Sequence, residues 1–187
     1  STAAIALDQG GMTIVQRLEP VAHGRAAGRL WHVRARTTVL ATGMLERPIV
    51  FQDNDRPGIM LASAARACLR RFALAPGRGA VFTTTDDGYA TALAWHAAGV
   101  DVAAVVDPRS EGHGLLPSAA RTAGIRCLSH AVVDGTDADG HGALSVVRVR
   151  TARGVERIAA DVLAVSGGYE PALNLYLQRR GSTTYDP

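Results

Sequence analysis

Residues 80–107, AVFTTTDDGYATALAWHAAGVDVAAVVD, constrain the fold of this chain more than any other segment. An apolar strand over 80–84 leads through a short polar turn into a helix that ends near Ala98. A second buried strand over 102–106 ends at Asp107. A strand, a turn, a helix, a strand and a terminal acid in this order are typical of a βαβ unit that binds dinucleotides.

The turn before the helix departs from the glycine-rich pattern of such units. The pattern G-x-G-x-x-G matches here as Thr83-x-Thr85-x-x-Gly88, so only the third glycine is present. Gly88 allows close packing of the helix against the strand, whereas the branched Thr85 stands where a pyrophosphate comes closest to the backbone. The hydroxyls of Thr83, Thr84 and Thr85 are candidate replacement donors.

Two acids at the start of the helix favour the opposite interpretation. Asp86 or Asp87 is predicted to cap the helix, because a short carboxylate accepts hydrogen bonds from the free amides of the first turn. A carboxylate there also repels a diphosphate. The fingerprint alone therefore leaves open a capped helix with a degenerate turn and no ligand.

The acid that ends the second strand favours nucleotide binding. Asp107 stands 19 residues after Gly88, where an acid meets the ribose hydroxyls of the adenosine half and selects NAD over NADP. Arg109 is a candidate contact for a phosphate or for the adenine ring. A surface Asp-Pro turn is the alternative for this segment.

The rest of the chain continues the alternation of strands and helices. Helices are predicted over 60–72 and 115–124, strands over 125–133 and 161–166, and an antiparallel hairpin or meander over 143–160. This order predicts an α/β fold, a Rossmann-like three-layer domain with a parallel sheet and a β-meander crossover, as in flavoproteins with two dinucleotide-binding domains.

An internal echo indicates that one nucleotide domain is nested in another. TVLATGMLERP and DVLAVSGGYEP each follow a predicted β-meander and end a strand with a small-residue turn. The first of these strands is predicted over 37–43, buried on both faces, after half-buried strands over 12–18 and 29–37 and a loop over 19–28. Ser166, Gly167 and Gly168 form the second turn, at the sheet edge where ligands of open α/β sheets bind.

Composition excludes several classes of protein. A hydrophobic content of 47% excludes a disordered chain, and no apolar run reaches the length of a membrane span. With no signal-peptide pattern, the expected setting is cytoplasmic. The basic residues are all arginines and are scattered, which argues against a nucleic-acid surface. Neither the two cysteines nor the six histidines show metal spacing, and no C-x-x-C pair or G-x-S-x-G motif occurs.

Four segments together resemble a known family. They are LATGMLERPIVFQDNDRPGIMLASAARACLRRFALAPG, TDDGY, VVDPR and LAVSGGYEPALNLY. These segments are similar to the α subunit of heterotetrameric sarcosine oxidase, and the resemblance covers essentially the whole chain. The element DNDRPG is the most specific of these. Related α subunits of opine oxidases and cyanide-forming amine dehydrogenases keep the ATG…ERP turn but diverge after it, and one of them is the alternative.

The resemblance implies that this chain is an internal piece of a longer subunit. Residues 1–47 would then be part of an outer, FAD-type domain, residues 48–165 the complete inner, NAD-type domain, and residues 166–187 the return segment of the outer domain. By the same resemblance, Thr83 to Gly88, including Asp86, line a pyrophosphate, and Asp107 meets the ribose. Ala41, Thr42 and Gly43 match the cofactor-edge turn of the outer domain, which lacks its other half here.

The resemblance also implies a function for the whole complex. That family oxidises sarcosine to glycine with oxygen, yields hydrogen peroxide and passes the one-carbon unit to tetrahydrofolate. NAD is expected in this chain, FAD and FMN only in the intact complex, and the partners are the rest of the α subunit with the β, γ and δ subunits. The piece alone is expected to be inactive. The alternatives are a structural domain with a vestigial nucleotide site and a reductase that moves hydride to a flavin.

Overall fold

The structure is a computed structural model that describes residues 1–18, 27–110 and 114–184. It divides into two compact units, one of Ser1–Leu45 with Pro171–Pro187 and the other of Glu46–Glu170. Most of the loop predicted over 19–28 falls outside the described residues. Assignment of the two units as outer and inner nucleotide domains stays a prediction.

Strands and helices alternate in the central part of the chain, as the sequence pattern indicates. The strands are β1 (Thr2–Asp8), β2 (Gly11–Arg17), β3 (Gly28–Val33), β4 (Met44–Glu46), β5 (Ile59–Leu61), β6 (Gly79–Thr84), β7 (Asp101–Val106), β8 (Cys127–Leu128), β9 (Val132–Ala138), β10 (Leu144–Thr151), β11 (Gly154–Ala159), β12 (Val162–Ser166) and β13 (Tyr169–Pro171). The helices are α1 (Ala62–Phe72), α2 (Asp87–Ala97), α3 (Leu115–Thr122) and α4 (Asn174–Gln178). None of the helices in the described part of the chain is long and apolar enough to cross a bilayer.

The larger unit is built on a parallel sheet with the strand order β5-β12-β6-β7-β8. The chain leaves β6 through α2 and enters β7 on one side, while β12 returns to pair with the other side of β6. The strand order therefore reverses between β6 and β12. In open α/β sheets a reversal of this kind marks the crevice where ligands bind.

Two layers cover the faces of this sheet. On one face, Phe82 and Ala164 pack with Trp95 of α2 and with residues of α1 and α3. On the other, Val81 and Val165 pack against an antiparallel sheet of order β11-β10-β9. Successive residues of a strand point to opposite faces, so strands buried on both faces are apolar throughout. The predicted three-layer Rossmann-like fold with a β-meander is confirmed.

Three local predictions were wrong in detail. The helix predicted from residue 60 begins at Ala62, because Ile59–Leu61 pair with β12 as a parallel strand before the helix starts. The strand predicted over 125–133 is divided between β8 and β9. No strand forms over 37–43, where Val39 is 83% exposed. A buried strand needs neighbours on both sides for its backbone hydrogen bonds, and no described strand pairs with this segment.

The smaller unit contains an antiparallel sheet of order β1-β2-β3. Gln178 of α4 joins the edge of this sheet, since its Oε1 accepts a hydrogen bond of 2.8 Å from the amide of Leu7. The strands β4 and β13 pair with each other in a two-stranded sheet.

Candidate functional site

The carboxyl ends of three strands meet at one edge of the larger unit. Thr84 pairs with Ser166 across β6 and β12, and Thr83 pairs with Val106 across β6 and β7. Asp107 follows β7 directly, so the predicted residues of the βαβ unit and of the Ser166 turn come together here. Ala41, Thr42 and Gly43 belong to the smaller unit instead.

The turn between β6 and α2 is closed by one threonine and one glycine. The amide of Gly88 donates a hydrogen bond of 3.0 Å to Oγ1 of Thr84, and the Thr84 hydroxyl donates one of 3.1 Å to the carbonyl of Thr85. A Cβ on Gly88 would overlap Oγ1 and Cβ of Thr84. Gly88 therefore occupies a position where helix and strand approach too closely for any side chain, as expected for the third glycine of the fingerprint.

The predicted capping of α2 by Asp86 was wrong. Asp86 precedes the helix but its side chain makes no capping hydrogen bond. The Thr84 hydroxyl already accepts from a first-turn amide, and Oδ1 of Asp86 instead lies 2.8 Å from Nη1 of Arg109. The carboxylate that was expected to satisfy the helix terminus is therefore turned toward a guanidinium.

The three threonines of the turn differ in exposure. Thr84 is fully buried, and Thr83 is nearly so, on the same face of β6 as Val81. Thr85 is only half-buried. Of the three hydroxyls proposed as replacement donors, that of Thr85 is the one near solvent.

Asp107 lies at the centre of a buried hydrogen-bond network. Its Oδ1 accepts hydrogen bonds of 3.0 Å from both the backbone amide and Nε of Arg109. Its Oδ2 accepts from Nη2 of Arg109 at 2.7 Å and from the Tyr89 hydroxyl at 3.1 Å. The side chain of Asp107 is fully buried, whereas that of Arg109 is 38% exposed.

The charges of this network reinforce one another. Burial pushes the pKa of Asp107 upward, but the hydrogen bonds and the charge of Arg109 outweigh it and hold that pKa below its ordinary value. Hydrogen bonding to Asp107 and Asp86 raises the pKa of Arg109 against the effect of burial. Burial and the nearby Asp107 charge raise the pKa of Tyr89, so its hydroxyl stays protonated and remains a donor.

The turn after β12 packs against an extended segment of the same unit. The amide of Gly167 donates to the carbonyl of Arg47 at 2.8 Å, and the amide of Arg47 donates to the carbonyl of Gly168 at 2.9 Å. A Cβ on Gly167 would stand 3.0 Å from the Arg47 carbonyl oxygen. Backbone packing accounts for Gly167, but Oγ of Ser166 is buried and makes no hydrogen bond within the described residues.

Two contacts near this edge were missed from the sequence. The Tyr89 hydroxyl donates a hydrogen bond to Asp107 from the first turn of α2. A buried tyrosine hydroxyl needs a partner, and this requirement was the available signal. Glu46 accepts a hydrogen bond of 2.8 Å from the amide of Ser63 at the start of α1. Glu46 and Ser63 are 17 residues apart, so no local capping pattern revealed the contact.

Residues 41–43 line a separate cavity within the smaller unit. It has a volume of about 250 Å³ and also contacts Leu173 and Tyr176. The Thr42 hydroxyl donates to the carbonyl of Ala172 at 2.7 Å, and the amide of Ala172 donates to the carbonyl of Gly43 at 3.0 Å. The turn is therefore held by backbone contacts to the segment that follows β13.

Comparison with curated proteins gives close relatives. The chain is 42% identical over 173 residues to sarcosine oxidase subunit alpha of Corynebacterium sp. (strain U-96), covering 89% of the chain and 18% of that protein. It is 44% identical over 168 residues to sarcosine oxidase subunit alpha of Rhizobium meliloti (strain 1021), covering 89% of the chain and 16% of that protein. The chain thus spans less than a fifth of the length of these relatives. No protein-family model matches it.

Solved structures share the fold at low sequence identity. An L-proline dehydrogenase from P. horikoshii superposes with a TM-score of 0.65 at 19% identity, over 99% of this chain and 31% of that one. A NAD-dependent persulfide reductase from A. fulgidus superposes with a TM-score of 0.63 at 17% identity, over 95% and 32%. The chain thus shares its fold with oxidoreductases at sequence identities of at most 19%. The family resemblance of the motifs is confirmed, and over the segment that it spans the chain is a homologue of sarcosine oxidase subunit alpha.

Proposed function

We propose that the larger unit binds NAD at the carboxyl edge of its parallel sheet, as a non-catalytic part of an oxidoreductase subunit. The observation that carries this proposal is the position of Asp107. It ends the strand next to the reversal between β6 and β12, where the acid of a dinucleotide-binding unit meets the adenosine ribose. The tight Thr84–Gly88 turn and the parallel order of the sheet support the same assignment.

The residues of this edge fit a dinucleotide in three places. By the fingerprint, the start of α2 with the half-buried Thr85 would lie at the pyrophosphate, and Asp107 at the ribose. Oγ of Ser166, buried beside the reversal and without a partner in the described chain, offers a further polar contact. In the proposed role these side chains bind and orient NAD, and its hydride chemistry is not used.

The charges at the edge favour NAD over NADP. Two carboxylates, those of Asp107 and Asp86, lie within hydrogen-bond distance of the Arg109 guanidinium at this edge. A dianionic phosphate beside two carboxylates is repelled.

For the whole protein, we infer a role in the oxidation of sarcosine to glycine, with hydrogen peroxide formation and one-carbon transfer to tetrahydrofolate. Its partners would be the β, γ and δ subunits, with FAD and FMN bound elsewhere in the complex. The identities of 42–44% to sarcosine oxidase subunits support this over an opine or amine dehydrogenase subunit. The smaller unit would belong to a FAD-type domain, which its turn over residues 41–43 supports.

The test uses the intact complex that contains this subunit. Denaturing extraction followed by nucleotide identification should release NAD, and titration calorimetry of the stripped subunit should show tighter binding of NAD than of NADP. Asp107→Ala should abolish binding, whereas Asp101→Ala, at the other end of β7 and exposed, should not. Absence of heat with either nucleotide would refute the proposal. Bleaching of the flavin by NADH would show hydride transfer and refute the non-catalytic role.

A structural domain with a vestigial site is the second candidate. The observation that favours it is the saturation of Asp107, whose two oxygens already accept four hydrogen bonds from Arg109 and Tyr89. Unchanged nucleotide content in the purified Asp107→Ala complex would favour this second candidate.

A further inference from the structure

We propose that the Arg109 side chain is a removable cover on the ribose-binding carboxylate of Asp107, held in place by Asp86, and that it must leave Asp107 when a nucleotide binds. This inference rests on the NAD site proposed above. It makes Arg109 and Asp86 determinants of nucleotide affinity that need no contact with the nucleotide.

The cover blocks the ribose contact completely. A carboxylate has about four acceptor positions, and those of Asp107 are filled by two donors on each oxygen. Asp107 has no exposed surface, while the Arg109 side chain above it is 38% exposed. A ligand that approaches the end of β7 therefore meets the guanidinium before it meets the acid.

Removal of the guanidinium would leave a site that matches a ribose diol. Oδ1 of Asp107 would keep the Arg109 backbone amide at 3.0 Å, and Oδ2 would keep the Tyr89 hydroxyl at 3.1 Å. Each oxygen would lose one guanidinium donor and recover one acceptor position. Two adjacent hydroxyls of a ribose need one acceptor each. Replacement of the Arg109 guanidinium by these hydroxyls would therefore open the site, and the Asp107 carboxylate would keep a partner on each oxygen.

Asp86 holds the cover from the opposite side. Its Oδ1 contacts Nη1 of Arg109 at 2.8 Å, and its side chain is 67% exposed. The contact joins the turn after β6 to the turn after β7, the two segments between which the nucleotide lies in the proposed site. An ion pair this exposed is weak and screened by salt, which suits a contact that must open.

The test measures NAD affinity of the intact α subunit by titration calorimetry after removal of bound nucleotide. Asp86→Asn removes the ion pair at Nη1 of Arg109 and leaves in place the groups that donate to Asp107. Because one exposed ion pair that holds the cover is lost, NAD should bind about 3- to 10-fold more tightly. Arg109→Ala should tighten binding at least as much. The matched control is Asp87→Asn, which removes the same charge from the same turn at a residue that has no contact with Arg109 among the described ion pairs.

Each outcome has a defined meaning. Tighter binding in Asp86→Asn than in Asp87→Asn supports the cover, and equal effects would overturn it, because charge near the diphosphate would then explain both. Weaker binding in Arg109→Ala would overturn it as well, since the arginine would be a ligand contact. Undiminished binding by Asp107→Ala would instead refute the NAD site itself. A structure with NAD bound and the Arg109 guanidinium still on Asp107 would also overturn the cover.

Discussion

Thr84 and Gly88 form the turn of the candidate nucleotide site as a pair, with the Gly88 amide 3.0 Å from Oγ1 of Thr84. The threonine accepts the hydrogen bond of a free first-turn amide, and the glycine provides the space in which the threonine side chain lies. The turn lacks the first two glycines of the fingerprint, and the Thr84–Gly88 pair stabilises it in their place.

Gly88→Ala should destabilise the larger unit by about 2–4 kcal/mol, because the new Cβ overlaps buried atoms of Thr84 that lie between strand and helix. Chemical denaturation of the chain measures the loss. Gly140→Ala is the control, since a Cβ there meets no atom within 4 Å. Equal stability of the two variants would contradict the close approach.

Thr84→Val should cost about 1–2 kcal/mol in the free energy of unfolding, because the Gly88 amide loses its acceptor in a buried position. Thr84→Ser keeps the hydroxyl and should retain most of the stability. If the valine and serine variants unfold at the same denaturant concentration, the hydrogen bond contributes nothing and the prediction is wrong.

The types of the central elements could be predicted from the sequence because they depend on residues close together in the chain. The three layers, the parallel sheet and the helix over 87–97 follow from apolar patterns that tertiary packing did not override, whereas the order of the strands in the sheet was not predicted. The predicted strand over 37–43 does not form, because an apolar segment becomes a buried strand only when a partner strand is present.

The contacts of the site could not be predicted because they depend on side-chain competition. Asp86 was a sound candidate for a helix cap, yet Thr84 and Arg109 satisfied both partners of that contact. Asp107 was placed correctly at the end of its strand, but no sequence pattern indicates that Arg109 and Tyr89 fill its acceptor positions. Which donor reaches a buried acid is decided by loop geometry, which spacing alone does not specify.

Asp161 should matter for stability at the other edge of the sheet. Its Oδ1 accepts hydrogen bonds of 2.9 Å from the amides of Arg78 and Gly79, which join the start of β12 to the start of β6. Asp161→Ala should lower the free energy of unfolding by about 1–3 kcal/mol, since hydrogen bonds to a charged acceptor are lost. Asp161→Asn keeps one acceptor oxygen and should show a smaller loss in thermal denaturation. An alanine variant as stable as the wild type would exclude this role.

The Asp107 network should make the stability of the larger unit depend on acid pH. The folded-state pKa of Asp107 lies below its ordinary value of 3.8, because Arg109 outweighs the effect of burial. A carboxyl with a depressed pKa contributes stability above its unfolded-state pKa, and that contribution is lost as the pH falls through the folded-state value.

Asp107→Asn should therefore cost about 1–3 kcal/mol at pH 7, because the Arg109 guanidinium, which is 38% exposed, and the buried Tyr89 hydroxyl lose a charged partner. The difference between wild type and variant should shrink as the pH is lowered below about 4, because the carboxyl of the unfolded wild type takes up a proton before that of the folded protein does. Urea denaturation at a series of pH values measures both quantities. Asp101→Asn, on the exposed opposite end of β7, is the control and should leave the pH profile unchanged. A difference that stays constant from pH 7 to pH 2 would mean that the charge of Asp107 does not stabilise the fold.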